Sequence, residues 1–112
     1  MIRLVLVDDH DIVRAGIKRL LENNQNIKVV GDFGNGETAY EFIRENKVDV
    51  IVMDLSMPGK GGIESTRQIK KQFPKINILP FFFEVFKKMS LTWASLPTIS
   101  LLGLIRLEKS AK

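Results

Sequence analysis

The chain has 112 residues, of which 45% are hydrophobic, and its 17 basic and 13 acidic residues give a formal net charge of +4. This length suits one domain with a single hydrophobic core. The absence of cysteine excludes disulfide bonds and thiolate metal sites. The basic residues form no long run, only isolated pairs such as Lys70-Lys71. We therefore expect no direct nucleic-acid binding.

The chain begins with a predicted strand followed by a predicted helix. Residues 2–7, IRLVLV, are a β-rich apolar run, which is too short for a signal peptide. Asp11 is the predicted N-cap of a helix that continues to residue 24. One stripe of this helix is apolar, and it consists of Val13, Ile17, Leu20 and Leu21.

The same strand-then-helix pattern continues along the chain. The next strands are predicted over residues 26–33, 48–54 and 76–79, and the next helices over residues 36–46 and 61–73. The third strand is apolar on both faces, as is typical of a central strand in a parallel sheet. Alternating strands and helices with short connections predict an α/β fold, in which a doubly wound parallel sheet is covered by helices on both faces.

The composition changes at Pro80, where the segment PFFFEVF begins. A short helix over residues 84–90 and a last strand over residues 98–105 are predicted, although the periodicity is poor. The uncharged apolar stretch over residues 91–105 is shorter than the roughly 18 apolar residues that a membrane-spanning helix needs. We expect the phenylalanines to fill a core, and if exposed they would form an association surface.

Three acidic residues end two of the predicted strands. Asp8 and Asp9 follow the first strand, and Asp54 ends the third. In a strand order of 2-1-3-4-5 these two strands are neighbours, and ligands bind at their carboxyl ends. Converging carboxylates favour a divalent cation, and all-oxygen ligation points to Mg²⁺. Asp54 could then accept a phosphoryl group as an acyl phosphate, whereas an Asp-Asp pair alone could simply cap the next helix.

Three stretches, VDDHDIVRAGIKRLLE, VVGDFGNGETA and DVIVMDLSMPGKGGIE, resemble the receiver domain of two-component response regulators. The subgroup is the LuxR, FixJ or NarL type, whose full-length members carry a helix-turn-helix. The resemblance covers about residues 1–79. It implies a flavodoxin-like sheet of order 2-1-3-4-5 and a cytoplasmic phosphorelay protein that is not an enzyme.

The resemblance also implies roles for individual residues. Asp54 would accept a phosphoryl group from a sensor histidine kinase. Asp9 would bind Mg²⁺ directly and Asp8 mostly through water, while Asp54 and the backbone carbonyl of Ser56 would complete the metal site. His10 is interpreted as an exposed loop residue that merely follows the acid pair.

Residues 80–112 depart from the family pattern. Receivers carry Thr or Ser at the end of the fourth strand and Lys at the end of the fifth, and the corresponding positions here hold Phe82 and Leu104. The nearest cations are Arg106 and Lys109. We therefore predict a receiver-like core over residues 1–79, an altered or incomplete C-terminal part over residues 80–112, no DNA-binding output domain, and an impaired switch.

Other interpretations stay open at this point. A changed reading frame, a fusion or divergence could explain the tail, and the chain could be a vestigial or non-switching interaction protein. A phosphatase of the haloacid dehalogenase type also uses an Asp nucleophile with Mg²⁺. That family needs a second Asp two residues after the nucleophile, where this chain has Ser56. We expect a signalling protein with a histidine kinase as partner, a homodimer as a candidate assembly, and no membrane partner.

Overall fold

A computed structural model describes residues 1–57 and 61–81, in which strands and helices alternate. The elements in chain order are β1 (Ile2–Val7), α1 (Asp11–Leu21), β2 (Ile27–Phe33), α2 (Gly36–Glu45), β3 (Val50–Asp54), α3 (Gly61–Gln72) and β4 (Asn77–Phe81). Each strand and helix predicted in this part of the chain is present. The predicted helix over residues 84–90 and the predicted strand over residues 98–105 lie outside the described residues.

The four described strands form one parallel sheet in the order β2-β1-β3-β4. This confirms the predicted α/β class and the first four positions of the predicted strand order. None of the helices in the described ranges is long and apolar enough to cross a membrane.

Two hydrophobic clusters cover the two faces of the sheet, because successive side chains of a strand point to opposite faces. On one face, Leu4 and Leu6 of β1 pack with apolar residues of α1 such as Val13 and Ile17. The other cluster takes Val5 and Val7 from β1 and joins them to these residues of α2 and α3: Ala39, Ile43 and Ile69. Every residue of β3 is buried, as its position between β1 and β4 requires.

The pairing of β1 with β3 sets the position of the acidic residues. Leu4 pairs with Val50, and the register continues until Val7 pairs with Met53. Asp54 is the next residue of β3 and Asp8 is the first residue after β1, so the two acids leave neighbouring strands at the same level. The convergence predicted for the carboxyl ends of these strands is therefore present.

Two local predictions were wrong. The N-cap of α1 is His10, with an extended backbone, and Asp11 is the first helical residue; the Asp11 side chain contacts Arg14 one turn later, at 2.5 Å. Strand β4 also continues through Pro80 to Phe81.

The proline is tolerated in β4 because of where its nitrogen lies. The N–H of Asn77 donates to the carbonyl oxygen of Asp49 on the β3 side, at 3.0 Å. Backbone groups of alternate residues point to opposite sides of a strand, so the nitrogen of Pro80 points away from β3. The N–H that proline lacks is therefore not one that the β3–β4 pairing needs.

Candidate functional site

The acidic side chains gather at the carboxyl ends of β1 and β3. Asp8 and Asp54 are 1% and 0% exposed, while Asp9 lies nearer the surface. One ligand atom from each of Asp8, Asp9, His10 and Asp54 can be chosen so that all four lie within 4.8 Å of one another. Three of the four residues predicted to hold a metal thus lie together; the position of the Ser56 carbonyl relative to them stays a prediction.

Local turns hold one oxygen of each buried carboxylate. Asp8 Oδ1 accepts a hydrogen bond from the backbone N–H of His10 at 2.7 Å. Asp54 Oδ1 accepts hydrogen bonds from the N–H of Ser56 at 2.9 Å and from its hydroxyl at 2.6 Å. In both cases the donor lies two residues after the acid, the short-range pattern that Asp side chains favour in turns.

The second oxygen of each buried carboxylate is buried without a hydrogen-bond partner among the described residues: Asp8 Oδ2 and Asp54 Oδ2. A buried charged oxygen without a partner destabilises the folded state. Proteins keep such unfavourable groups mainly at functional sites. An all-oxygen donor set with unpaired carboxylate oxygens fits a hard divalent cation such as Mg²⁺. The predicted metal chemistry is therefore compatible with the residues present.

His10 belongs to this cluster, contrary to its interpretation as a loop residue that only follows the acid pair. Its Nδ1 lies 2.7 Å from Asp8 Oδ1, 3.0 Å from Asp9 Oδ1 and 3.7 Å from Asp54 Oδ2. The imidazole is 38% exposed, so one edge of the ring faces the carboxylates. Sequence reasoning missed this residue because the turn that folds the ring back over Asp8 depends on backbone geometry.

Burial and proximity shift the acid–base behaviour of this cluster. Burial raises the pKa of Asp8 above its usual value, and the nearby charge of Asp54 raises it further, although hydrogen bonds from His10 act in the opposite direction. The hydrogen bond to Asp8 raises the pKa of His10, and the charges of Asp8, Asp9 and Asp54 raise it further against the opposing effect of burial. The cluster therefore attracts positive charge, either a proton or a cation, as carboxylates held close together do.

Arg14 of α1 connects the loop after β1 to the neighbouring elements, a role that sequence reasoning did not identify. Its guanidinium donates to the backbone carbonyl of Asp8, and it pairs with Asp11 at 2.5 Å and with Asp32 of β2 at 3.2 Å. Lys18 also pairs with Asp32 at 2.9 Å, and its hydrogen bond is the main reason why the pKa of Asp32 is lowered. The hydrogen bond from Arg14 to the Asp8 carbonyl ties the loop after β1 to α1.

A cleft of about 270 Å³ lies beside Asp9. It is lined by Asp9, Gly34, Asn35, Gly36, Glu37, Met57, Gly61 and Ser65. The Asn35 side chain caps α2 by accepting a hydrogen bond from the N–H of Thr38 at 2.9 Å. Space for a small group is therefore present next to the acid cluster.

The residues that replace the family's switch residues lie outside the described part of the chain. They are Phe82 and Leu104, and the two nearest cations, Arg106 and Lys109, lie there as well. Strand β4 ends at Phe81, whose backbone pairs with Asp54.

Comparison with known proteins gives concordant results. A family model described as the response regulator receiver domain matches residues 4–84. The response regulator UvrY of Escherichia coli (strain K12) is 52% identical over 79 residues, which cover 70% of this chain and 36% of UvrY. The response regulator GacA of Pseudomonas aeruginosa (strain PAO1) is 44% identical over 79 residues, which cover 70% of this chain and 37% of GacA.

A solved structure of a LuxR-family two-component response regulator from Aurantimonas sp. SI85-9A1 is 33% identical, with a TM-score of 0.79, and the match covers 98% of this chain and 86% of that one. The chain matches only about a third of the length of the curated relatives, 36% in the case of UvrY.

Proposed function

Because this chain belongs to the response regulator receiver domain family, we propose that it accepts a phosphoryl group on Asp54, with Mg²⁺ as cofactor. The donor is the phosphohistidine of a sensor histidine kinase. One observation supports this most: Asp54 is 0% exposed at the end of β3, and its unpaired Oδ2 faces the cluster that Asp8, Asp9 and His10 complete.

The proposed transfer uses the carboxylate of Asp54 as a nucleophile. One of its oxygens forms a bond to phosphorus as the phosphorus–nitrogen bond of the donor histidine breaks, and the electron pair leaves with the imidazole. Asp8, Asp9, Asp54 and the backbone carbonyl of Ser56 would hold Mg²⁺, which offsets charge on the phosphoryl oxygens. The hydrogen bonds from Ser56 to Asp54 Oδ1 orient the carboxylate, and β3 supplies a rigid support.

We assign the chain to the cytoplasm as a signalling protein without an enzymatic role of its own, with a histidine kinase as phosphodonor and a second copy of the chain as a candidate partner. Solved structures describe the response regulator RcsB as bound to DNA. For this chain we propose no direct nucleic-acid contact, because its basic residues form only isolated pairs.

Mg²⁺ is expected to stabilise the folded protein. A ligand that binds only the folded state raises the free energy of unfolding, by about 1.4 kcal/mol at ten times the dissociation constant, which is several degrees in Tm for a domain of this size. Thermal melts with MgCl₂ and with EDTA measure this difference. Asp9→Ala should remove it, because Asp9 is a proposed direct ligand.

The matched control for this melt is Asp11→Ala, which removes a carboxylate that is 89% exposed and outside the cluster. This control should keep the Mg²⁺-dependent increase in Tm. A folded parent protein whose Tm does not respond to Mg²⁺ would argue against the metal site.

We also propose that phosphorylation is poorly transmitted to the rest of the domain. The sequence from Leu79 to Glu84, LPFFFE, contains no Ser or Thr, so the hydroxyl that receivers carry after the fourth strand is absent from this stretch. Leu104 replaces the family's lysine. A ligand shifts a two-state equilibrium only through contacts that differ between the states, and both expected contacts are missing. The chain would then be a receiver whose conformation does not change on phosphorylation, and it would act only through interactions that it makes without the phosphoryl group.

Amide NMR spectra with and without beryllofluoride, a phosphoryl mimic, test this second part. We expect chemical-shift changes confined to the loops around Asp8, Asp9 and Asp54, because little free energy is available to move distant elements. Changes that spread through residues 80–105 would show that the switch operates and that this part of the proposal is wrong.

A further inference from the structure

The ring nitrogen of His10 lies among the same three carboxylates that would hold Mg²⁺. Nδ1 is 2.7 Å from Asp8 Oδ1 and 3.0 Å from Asp9 Oδ1, and Asp54 Oδ2 is 3.7 Å away. The contact with Asp8 Oδ1 is a hydrogen bond. Because carboxylate oxygens are acceptors, Nδ1 has to carry the hydrogen in this arrangement.

A nitrogen that carries hydrogen cannot coordinate a metal ion, and Mg²⁺ prefers oxygen ligands at about 2.1 Å. A cation held by Asp8, Asp9 and Asp54 would use the unpaired Asp54 Oδ2, which lies 3.7 Å from Nδ1, and would approach the same three carboxylates that Nδ1 contacts. The imidazole and a Mg²⁺ ion therefore compete for the same group of carboxylates.

We propose that His10 is a displaceable occupant of the metal site, whose ring hydrogen-bonds to the carboxylate cluster in the metal-free protein and rotates away when Mg²⁺ binds. This inference rests on the proposed Mg²⁺ site. It assigns His10 as a positioning residue that sets how tightly the site binds its metal.

The local structure allows the ring to move without disturbing the helix. His10 is the N-cap of α1, but its side chain makes no capping hydrogen bond, and it is 38% exposed. The backbone of His10 is held independently, since its N–H donates to Asp8 Oδ1 at 2.7 Å and its carbonyl accepts from the N–H of Arg14 at 3.1 Å. A rotation about the side-chain bonds can therefore bring the ring to solvent while the loop stays in place.

Titrations of the parent protein and two variants with MgCl₂, at one fixed pH, test this inference. The variants are His10→Ser, because serine is a favoured N-cap, and His10→Phe, which keeps a ring but has no N–H. Amide NMR shifts of the loop around Asp8 give the dissociation constant. Both variants should bind Mg²⁺ about threefold to tenfold more tightly, the effect of removing one competing hydrogen bond.

Two further measurements separate this role from a purely structural one. In EDTA, His10→Ser should have a lower Tm than the parent, yet Mg²⁺ should raise its Tm by more. In the parent, the ring carbon–hydrogen resonances of His10 should shift along the same Mg²⁺ titration curve as the loop amides. Lys18→Met is the matched control, because it removes a positive charge that pairs with Asp32 instead of the cluster, and it should leave the dissociation constant unchanged.

The possible outcomes separate this inference from the proposed function. Equal dissociation constants in the parent and both variants would overturn the displacement of His10 but leave the metal site intact. Weaker binding by both variants would make the ring a ligand and would also overturn the inference. If neither the parent nor any variant binds Mg²⁺, the metal site itself is wrong, and the inference falls with it.

Discussion

Asp54→Asn is expected to abolish phosphorylation of this protein. Incubation of the parent with a small phosphodonor and Mg²⁺ should add the mass of one phosphoryl group, measured by intact-protein mass spectrometry. The variant should gain none, because a neutral amide is not an effective nucleophile toward phosphorus, and because the proposed reaction depends on this one side chain. The effect is therefore a complete loss instead of a graded one.

Asparagine has nearly the same shape as aspartate, and its side-chain oxygen can still accept the hydrogen bonds that Ser56 now donates to Asp54. The variant should therefore fold. Asp11→Asn makes the same chemical change at an exposed position outside the acid cluster, and it should be labelled like the parent. Labelling that persists in folded Asp54→Asn would show that another residue accepts the phosphoryl group.

Gly62→Ala is expected to lower the free energy of unfolding by about 3 kcal/mol, at the upper end of the usual cost of overpacking. A Cβ atom at this position would lie 2.0 Å from the carbonyl oxygen of Asp54 and 2.9 Å from the Cα of Leu55. Both are backbone atoms, so no side-chain rotation can relieve the clash. Either α3 or the end of β3 has to shift, and the end of β3 carries the proposed phosphoacceptor.

Chemical denaturation in EDTA measures this cost. Gly34→Ala is the control, because its Cβ would meet only the Arg14 guanidinium, at 3.5 Å, which is an ordinary contact. The control should change stability by less than about 1 kcal/mol, in the range of ordinary surface substitutions. If Gly62→Ala is as stable as Gly34→Ala, the close approach of α3 to the end of β3 is not present in the protein.

The periodicity of the sequence predicted the alternating strands and helices, whereas the convergence of the acids also needed the strand order 2-1-3-4-5, which the resemblance to receiver domains implies. The apolar run that ends at Asp54 and the run before Asp8 were predicted as neighbouring strands, and β1 and β3 do pair in parallel. Two facts made this possible: strands and helices have different hydrophobic periods, and parallel strands place their carboxyl ends at one edge of the sheet.

The contacts within the site could not be predicted in the same way. The position of the His10 ring depends on a turn that returns its nitrogen to Asp8 Oδ1, and hydrophobic pattern carries no information about such a turn. Arg14 lies on the charged stripe of α1, yet it is only 16% exposed and binds Asp32. The fourth strand was predicted to end at Leu79, before the composition changes at Pro80, whereas Pro80 lies within β4, where β3 needs no N–H from it.

Mapping the phosphorylated residue tests the account most directly. Borohydride reduces an acyl phosphate of aspartate to homoserine, which fragmentation of the digested peptides locates in the sequence. We predict homoserine at position 54 after treatment with phosphodonor and Mg²⁺, and none when EDTA replaces Mg²⁺. Homoserine at position 8 or 9, or a phosphoryl group found on His10 with position 54 unmodified, would contradict the account.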